Sequence, residues 1–169
     1  MKKKALVTLT MCLLLLPIAA KGQNNFVEGR NNNFVGIAGE LFLSPDDFVA
    51  IGYTGVFLEM MLSRSIGIET GYFIKNTGDA DGSFNTIPFG IKYYTNFLNL
   101  TGGFTLNFVM DYEDRHEMDP PLEFGTFLRL SRDIPLNDRL IFEPGLSSQF
   151  QLYMLYFYIG LSLRLKYRL

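Results

Sequence analysis

The segment Tyr153-Met154-Leu155-Tyr156-Phe157-Tyr158-Ile159-Gly160-Leu161-Ser162-Leu163-Arg164-Leu165-Lys166-Tyr167-Arg168-Leu169 decides the fold class. Tyr153, Leu155, Phe157, Ile159, Leu161, Leu163, Leu165, Tyr167 and Leu169 share one parity, and all are apolar or aromatic. The other parity carries Tyr156, Tyr158, Gly160, Ser162, Arg164, Lys166 and Arg168. Successive side chains of a β-strand point to opposite faces, so this is a strand with one greasy face and one polar, cationic face. The helical period would scatter the same residues around an axis.

The other end of the sequence has a different character. Met1-Lys2-Lys3-Lys4 precedes a short apolar run through Leu13-Leu14-Leu15-Leu16 to Ala20, and small residues follow at Ala20 and Gly22. A basic start, an apolar core and a small-residue cleavage site predict a secretory signal peptide over residues 1–22, cut before Gln23. The apolar run falls short of the ~20 residues of a spanning helix. Cys12, the single cysteine, lies inside this run between Met11 and Leu13, which argues against lipidation. A mature chain without cysteine has no disulfide, thiolate nucleophile or cysteine metal site. Loss of Lys2, Lys3, Lys4 and Lys21 leaves 11 basic residues against 17 acidic ones, a net charge of −6. That balance excludes a nucleic-acid partner, which requires a basic surface. The remaining length suits one domain.

Residues 23–33 are polar and read as a flexible lead-in to a barrel over 34–169. Apolar alternation then recurs in segments of about ten residues between turn signals, the pattern of barrel strands. Eight strands are predicted, near 34–43, 48–62, 65–75, 84–95, 98–111, 122–131, 139–150 and 153–168. Ser63-Arg64-Ser65 and Asn96-Phe97 are tight turns, Ser44-Pro45-Asp46-Asp47 is short and polar, and Asn76–Ser83 and Asp111–Pro121 are longer polar loops. With both termini in the periplasm, the connectors after strands one, three, five and seven face outward, and the long loops fall among them. Asp133–Asp138 is long for an inner turn, and the connector before Tyr153 is short for an outer loop. Pro88 and Pro144 cannot donate ladder hydrogen bonds and predict bulges or strand ends.

The charges say which face is inside. Glu40, Glu59, Glu69, Lys92, Glu123, Arg129, Glu143, Arg164 and Lys166 all fall on the polar parity of their strands. In a soluble barrel that face would be the apolar core, where unpaired ions are costly. In a membrane barrel it lines the lumen, where the ions can pair. The reading is therefore an all-β, eight-stranded, antiparallel, up-and-down transmembrane barrel of a bacterial outer membrane, closed because lipid offers no partner to an open strand edge. Phe and Tyr supply aromatic girdles (16 and 9 residues) while Trp is absent. Neighbouring-strand heights suggest lumen ion pairs Glu69–Lys92, Arg129–Glu143 and Glu40–Arg164. An eight-stranded bore is just wide enough for side chains to fill, so these ions act as a plug and not as a conducting path.

Tyr158-Ile159-Gly160-Leu161-Ser162-Leu163-Arg164-Leu165 resembles the assembly signal of outer-membrane barrels, with Tyr158, Gly160, Leu163 and Leu165 in its places. The signal usually ends in Phe, where this chain has Leu169. Ile66-Gly67-Ile68-Glu69-Thr70-Gly71-Tyr72 and Ile87-Pro88-Phe89-Gly90-Ile91-Lys92-Tyr93-Tyr94 resemble the outer-membrane β-barrel domain of "porin family" proteins, and the size and layout are similar to OmpA/OmpX-type barrels. The resemblance implies fold and location, with outer-membrane lipid, lipopolysaccharide and the barrel assembly machinery as partners. It implies no cofactor and no particular chemistry.

Two patches carry side chains with possible chemistry. Asp111, Glu113, Asp114, His116, Glu117 and Asp119 cluster in the third outer loop, and hard cations take carboxylate oxygens, but the spacing of a calcium loop is missing. Asp79-Ala80-Asp81-Gly82-Ser83 reads as a turn. A lipid A-modifying hydrolase or acyltransferase would need His116, the single histidine, as base with Ser147 or Ser148 as nucleophile, and no Gly-x-Ser-x-Gly occurs. The role expected is structural or surface interaction through the loops, toward a ligand the sequence does not name; a narrow porin is the alternative.

Overall fold

The computed structural model describes residues 33–44, 50–76, 84–95, 97–109, 122–152 and 155–169. Eight long strands form: β1 Phe34–Leu43, β2 Ala50–Met61, β3 Ile66–Asn76, β4 Phe84–Tyr94, β5 Asn99–Val109, β6 Leu122–Ser131, β7 Leu140–Gln151 and β8 Phe157–Arg168. Each pairs antiparallel with its sequence neighbours, and β8 returns to β1 along the register Phe34↔Arg168 to Leu43↔Ile159. The sheet is a closed eight-stranded barrel. Closure leaves none of the eight strands with an unpaired edge.

One end carries the described termini, joined by Leu169 N–H donating to the Asn33 carbonyl at 2.9 Å. It also carries three short turns, each locked by one polar side chain. Ser63 Oγ accepts from the Ser65 and Ile66 amides, Thr95 Oγ1 accepts from the Phe97 and Leu98 amides, and Asn137 Oδ1 accepts from the Arg139 and Leu140 amides. Ser, Thr and Asn do this because their short side chains reach the backbone two or three residues on. We call this the turn end, and its opposite the loop end. The predicted signal peptide, lead-in residues 23–32 and most of the outer loops lie outside the described residues.

Three expectations are corrected. The strand predicted from Tyr153 starts at Phe157, because the apolar alternation runs on through a turn. The long inner connector after β6 is mostly ladder. Ile134↔Phe142 and Pro135↔Ile141 continue the β6–β7 register past a two-residue gap opposite Glu143 and Pro144, leaving a short turn capped by Asn137. The two prolines sit within long strands rather than ending them. Pro144 marks the gap just named, and Pro88 leaves Gly71 and Tyr72 unpaired between Thr70↔Phe89 and Phe73↔Thr86. In each case the missing N–H interrupts the ladder on one side of the strand over two residues and spares the one on the other side, Pro88↔Thr105 and Pro144↔Leu163.

Inside and outside separate by parity on every strand. The outward positions of β8 are Phe157, Ile159, Leu161, Leu163, Leu165 and Tyr167, and those of β1 are Val35, Ile37, Gly39, Leu41 and Leu43. No outward position of the eight strands carries a charge. Gly160 faces the lumen beside β1, where a Cβ would collide with the Leu41 carbonyl and the Phe42 Cα. Glycine lets the two strands meet at the closing seam.

Candidate functional site: the charged lumen

Lumen-facing residues of seven strands build two tiers of ions. In the tier nearer the turn end, Lys92 on β4 donates to Glu59 on β2 at 2.9 Å and to Glu143 on β7 at 2.6 Å. Lys166 on β8 stands 3.1 Å from Glu143 and 3.6 Å from Glu59, and donates to Asp133 at 2.7 Å. Tyr94 donates to Glu59, and Ser131 to Glu143. Glu59, Lys92, Glu143 and Lys166 are each 0% exposed.

The second tier lies toward the loop end. Arg129 on β6 donates to Glu69 on β3 at 2.6 Å, and Arg164 on β8 reaches Glu69 at 2.7 Å and Glu40 on β1 at 3.0 Å. Thr101 and Ser162 accept from Arg129 and Arg164, at 3.3 Å each. The Arg164 guanidinium also lies 4.6 Å from the Phe57 ring centre, a cation–π contact in a desolvated place.

The pairing differs in part from the sequence expectation. Glu40 does meet Arg164. Glu69 is held by the two arginines instead of by Lys92, and Glu143 is held by the two lysines instead of by Arg129. The expectation looked to adjacent strands. In an eight-stranded bore a long side chain spans the lumen, so β4 reaches β2 and β7, and β6 reaches β3. Like charges also sort the tiers. Glu59 and Glu69 are direct cross-strand partners, and each turns to different cations. Sequence reasoning missed Asp133, placed in a turn. Its parity matches Arg129 and Ser131, and that was the available signal.

Above the second tier the bore divides. Phe42, Ile51, Tyr53, Phe73 and Tyr158 fill the side of β1, β2, β3 and β8. Thr86, Thr105, Asn107 and Gln149 face them, with Thr86 donating to Asn107 at 2.8 Å. A cavity of about 30 Å³ remains between Glu40, Arg129, Arg164, Tyr53, Ser147 and Gln149, room for one or two water molecules.

The other candidates scatter. Asp111, Glu113, Asp114, His116, Glu117 and Asp119 lie outside the described residues. Ser147 is buried in the lumen, while Ser148 points outward and donates to the Leu128 carbonyl at 3.4 Å, so the two do not share a face. Of the signal residues, Tyr158 and Gly160 on β8 face the lumen, Leu163 and Leu165 face out, and Leu169, just past the strand, is exposed.

The fold is that of small outer-membrane barrels. The N-terminal β-barrel domain of OprF from Pseudomonas aeruginosa superposes with a TM-score of 0.58 at 10% identity, covering 82% of this chain and 100% of that one. The outer membrane protein OprG from Pseudomonas aeruginosa superposes with a TM-score of 0.53 at 14% identity, covering 83% of this chain and 98% of that one. No protein family and no curated protein sequence matches the chain. What is shared at such identities is the architecture; the residues of the two ion tiers are read from this chain alone.

Proposed function

We propose that this chain is an integral outer-membrane barrel with a lumen plugged by its own ion pairs, serving a structural or surface-interaction role through the connectors of its loop end. One observation carries the reading: the usual distribution of residues is inverted. Ile37, Ile91 and Leu163 are 60%, 63% and 54% exposed on the outer wall, while lysines and glutamates are sealed within. A continuous apolar wall of this extent is untenable in water and is what a bilayer requires. Strands of 10–12 residues, tilted as in such barrels, match an apolar band of about 25 Å. The three short, side-chain-locked turns support a periplasmic turn end, with lipopolysaccharide around the loop end and the assembly machinery reading β8.

The test is heat-modifiable gel mobility of purified outer membranes, boiled against unboiled, with planar-bilayer conductance on the same sample. A mobility shift with negligible conductance is expected. Steady conductance would overturn the plugged lumen, and a soluble periplasmic protein without a shift would overturn the membrane assignment.

A further inference from the structure

The turn between β7 and β8 is unlike the other connectors of the loop end. Those carry acids: Asp46 and Asp47, Asp79 and Asp81, and five carboxylates between Asp111 and Asp119. The β7–β8 connector reads Leu152-Tyr153-Met154-Leu155-Tyr156, with no charge at all. Leu155 is 71% exposed and Leu152 is 50% exposed.

Its geometry ties these leucines to the outer wall. The β7–β8 ladder ends at Phe150↔Phe157, and the Gln151 amide donates to the Tyr156 carbonyl at 2.9 Å, so the next described residues toward the loop end are Leu152 on one side and Leu155 on the other. The Leu152 amide donates to the Phe124 carbonyl on β6 at 3.0 Å. Leu152 and Leu155 therefore extend, past the last ladder pair, the apolar wall of β6, β7 and β8 to which Phe124 and Phe157 belong. Tyr156 stands against Tyr158 at the same rim, with ring centres 6.1 Å apart.

A second, independent observation concerns the backbone. Leu155 has φ of 55°, and it is the single non-glycine residue with positive φ among the described residues. That left-handed conformation suits glycine, asparagine or aspartate, and costs free energy for leucine. A strained position that keeps a large exposed apolar side chain points to a use for that side chain.

We propose that the β7–β8 tip is a lipid anchor: Leu152 and Leu155 sit at the acyl–headgroup boundary of the surrounding leaflet, immersing the β6–β8 side of the loop end. The partner is lipid of the barrel's own membrane, because the tip continues the lipid-facing wall and lacks the charges of its neighbouring connectors. Apolar residues with tyrosines at such a boundary are stable there. The inference rests on the membrane reading above, and its test separates the two.

The chain has no tryptophan, so a single introduced one is a clean reporter. Leu152→Trp, Leu155→Trp and, as a control on the ladder-paired outer wall, Ile159→Trp are refolded as full chains into phosphatidylcholine vesicles with native or acyl-brominated lipid. Folding is checked by heat-modifiable mobility. Leu152→Trp needs no left-handed backbone and keeps the test alive if Leu155→Trp misfolds. The expected result is blue-shifted emission from both tip positions, with bromolipid quenching comparable to that of Ile159→Trp. Water-like emission without quenching at the tip, beside a quenched Ile159→Trp, overturns the anchor and leaves the membrane barrel standing. Blue-shifted but unquenched emission at the tip overturns it in favour of a protein contact. An unquenched Ile159→Trp overturns the membrane reading itself, and the anchor with it.

Discussion

Replacing Lys92 with methionine removes the centre of the lower ion tier while keeping most of the side-chain volume. Glu59 at 2.9 Å and Glu143 at 2.6 Å then lose their shared cation in a place with no water access. Removing one partner of a buried pair costs about 3–5 kcal/mol, chiefly through the charge left behind. Lys166, at 3.1 Å from Glu143 and 3.6 Å from Glu59, still neutralises part of that charge. The lower end of the range follows, about 3 kcal/mol, or about a hundredfold in the folded-to-unfolded ratio. Urea titration of vesicle-refolded protein, read by heat-modifiable mobility, measures it. The double variant Lys92→Met with Glu59→Gln should recover at least a third of the loss, because the second change removes one stranded charge. A cycle pairing Lys92 with Glu69 should couple more weakly, since those side chains do not meet. A single-variant loss below about 1 kcal/mol, within the usual span of surface ion pairs, would refute the buried network, as would an uncoupled Lys92–Glu59 cycle.

Other perturbations address the wall, the seam and the turns. Leu163→Arg puts a cation at the middle of β8 on the outer wall, and in vesicles should destabilise by about 2–4 kcal/mol by urea titration; a neutral effect would argue against lipid contact there. Gly160→Ala should cost about 1–3 kcal/mol in the same titration, because the new methyl meets only β1 backbone and no flexible side chain can yield. Since Gly160 also lies in the segment resembling the assembly signal, refolding without assembly machinery isolates the steric part. Asn137→Ala strips two amides of their acceptor and should lower stability by about 1 kcal/mol, with Asn137→Asp restoring it; equal stability of all three proteins would show that the turn needs no side-chain lock.

Much of the barrel was legible because the strand period of two is strict. Once charges on seven strands share a parity, the inner face is set and the closed architecture follows. The errors have physical sources. Alternation cannot mark the start of β8, because Leu155 and Tyr156 are as apolar as strand residues while their backbone still turns. The run from Asp133 to Asp138 looked like loop because it carries the turn formers Pro135 and Asn137 between two aspartates and follows β6 after a break, yet Pro144 opposite explains the break, and Ile134 and Pro135 rejoin the ladder. Lumen residues were identifiable one by one, but not their pairings. Those depend on chords across the bore, which strand-by-strand heights do not encode. The left-handed Leu155 has no sequence signal, since propensity would place glycine or asparagine there.

The seam between β1 and β8 makes the barrel a late commitment. Glu40 and Arg164, bonded across it, are 124 residues apart in the chain. Seven strands can pair as each neighbour emerges, but until Phe157–Arg168 arrives the sheet has two raw edges and an arginine tier missing half of its cations. Such distant pairing is slow, because chain entropy is spent before the contact repays it. A chain halted before β8 has no smaller barrel to fall back on. It is an open, apolar sheet and a substrate for aggregation or proteolysis, so completeness of the protein is checked by the geometry of its own closure.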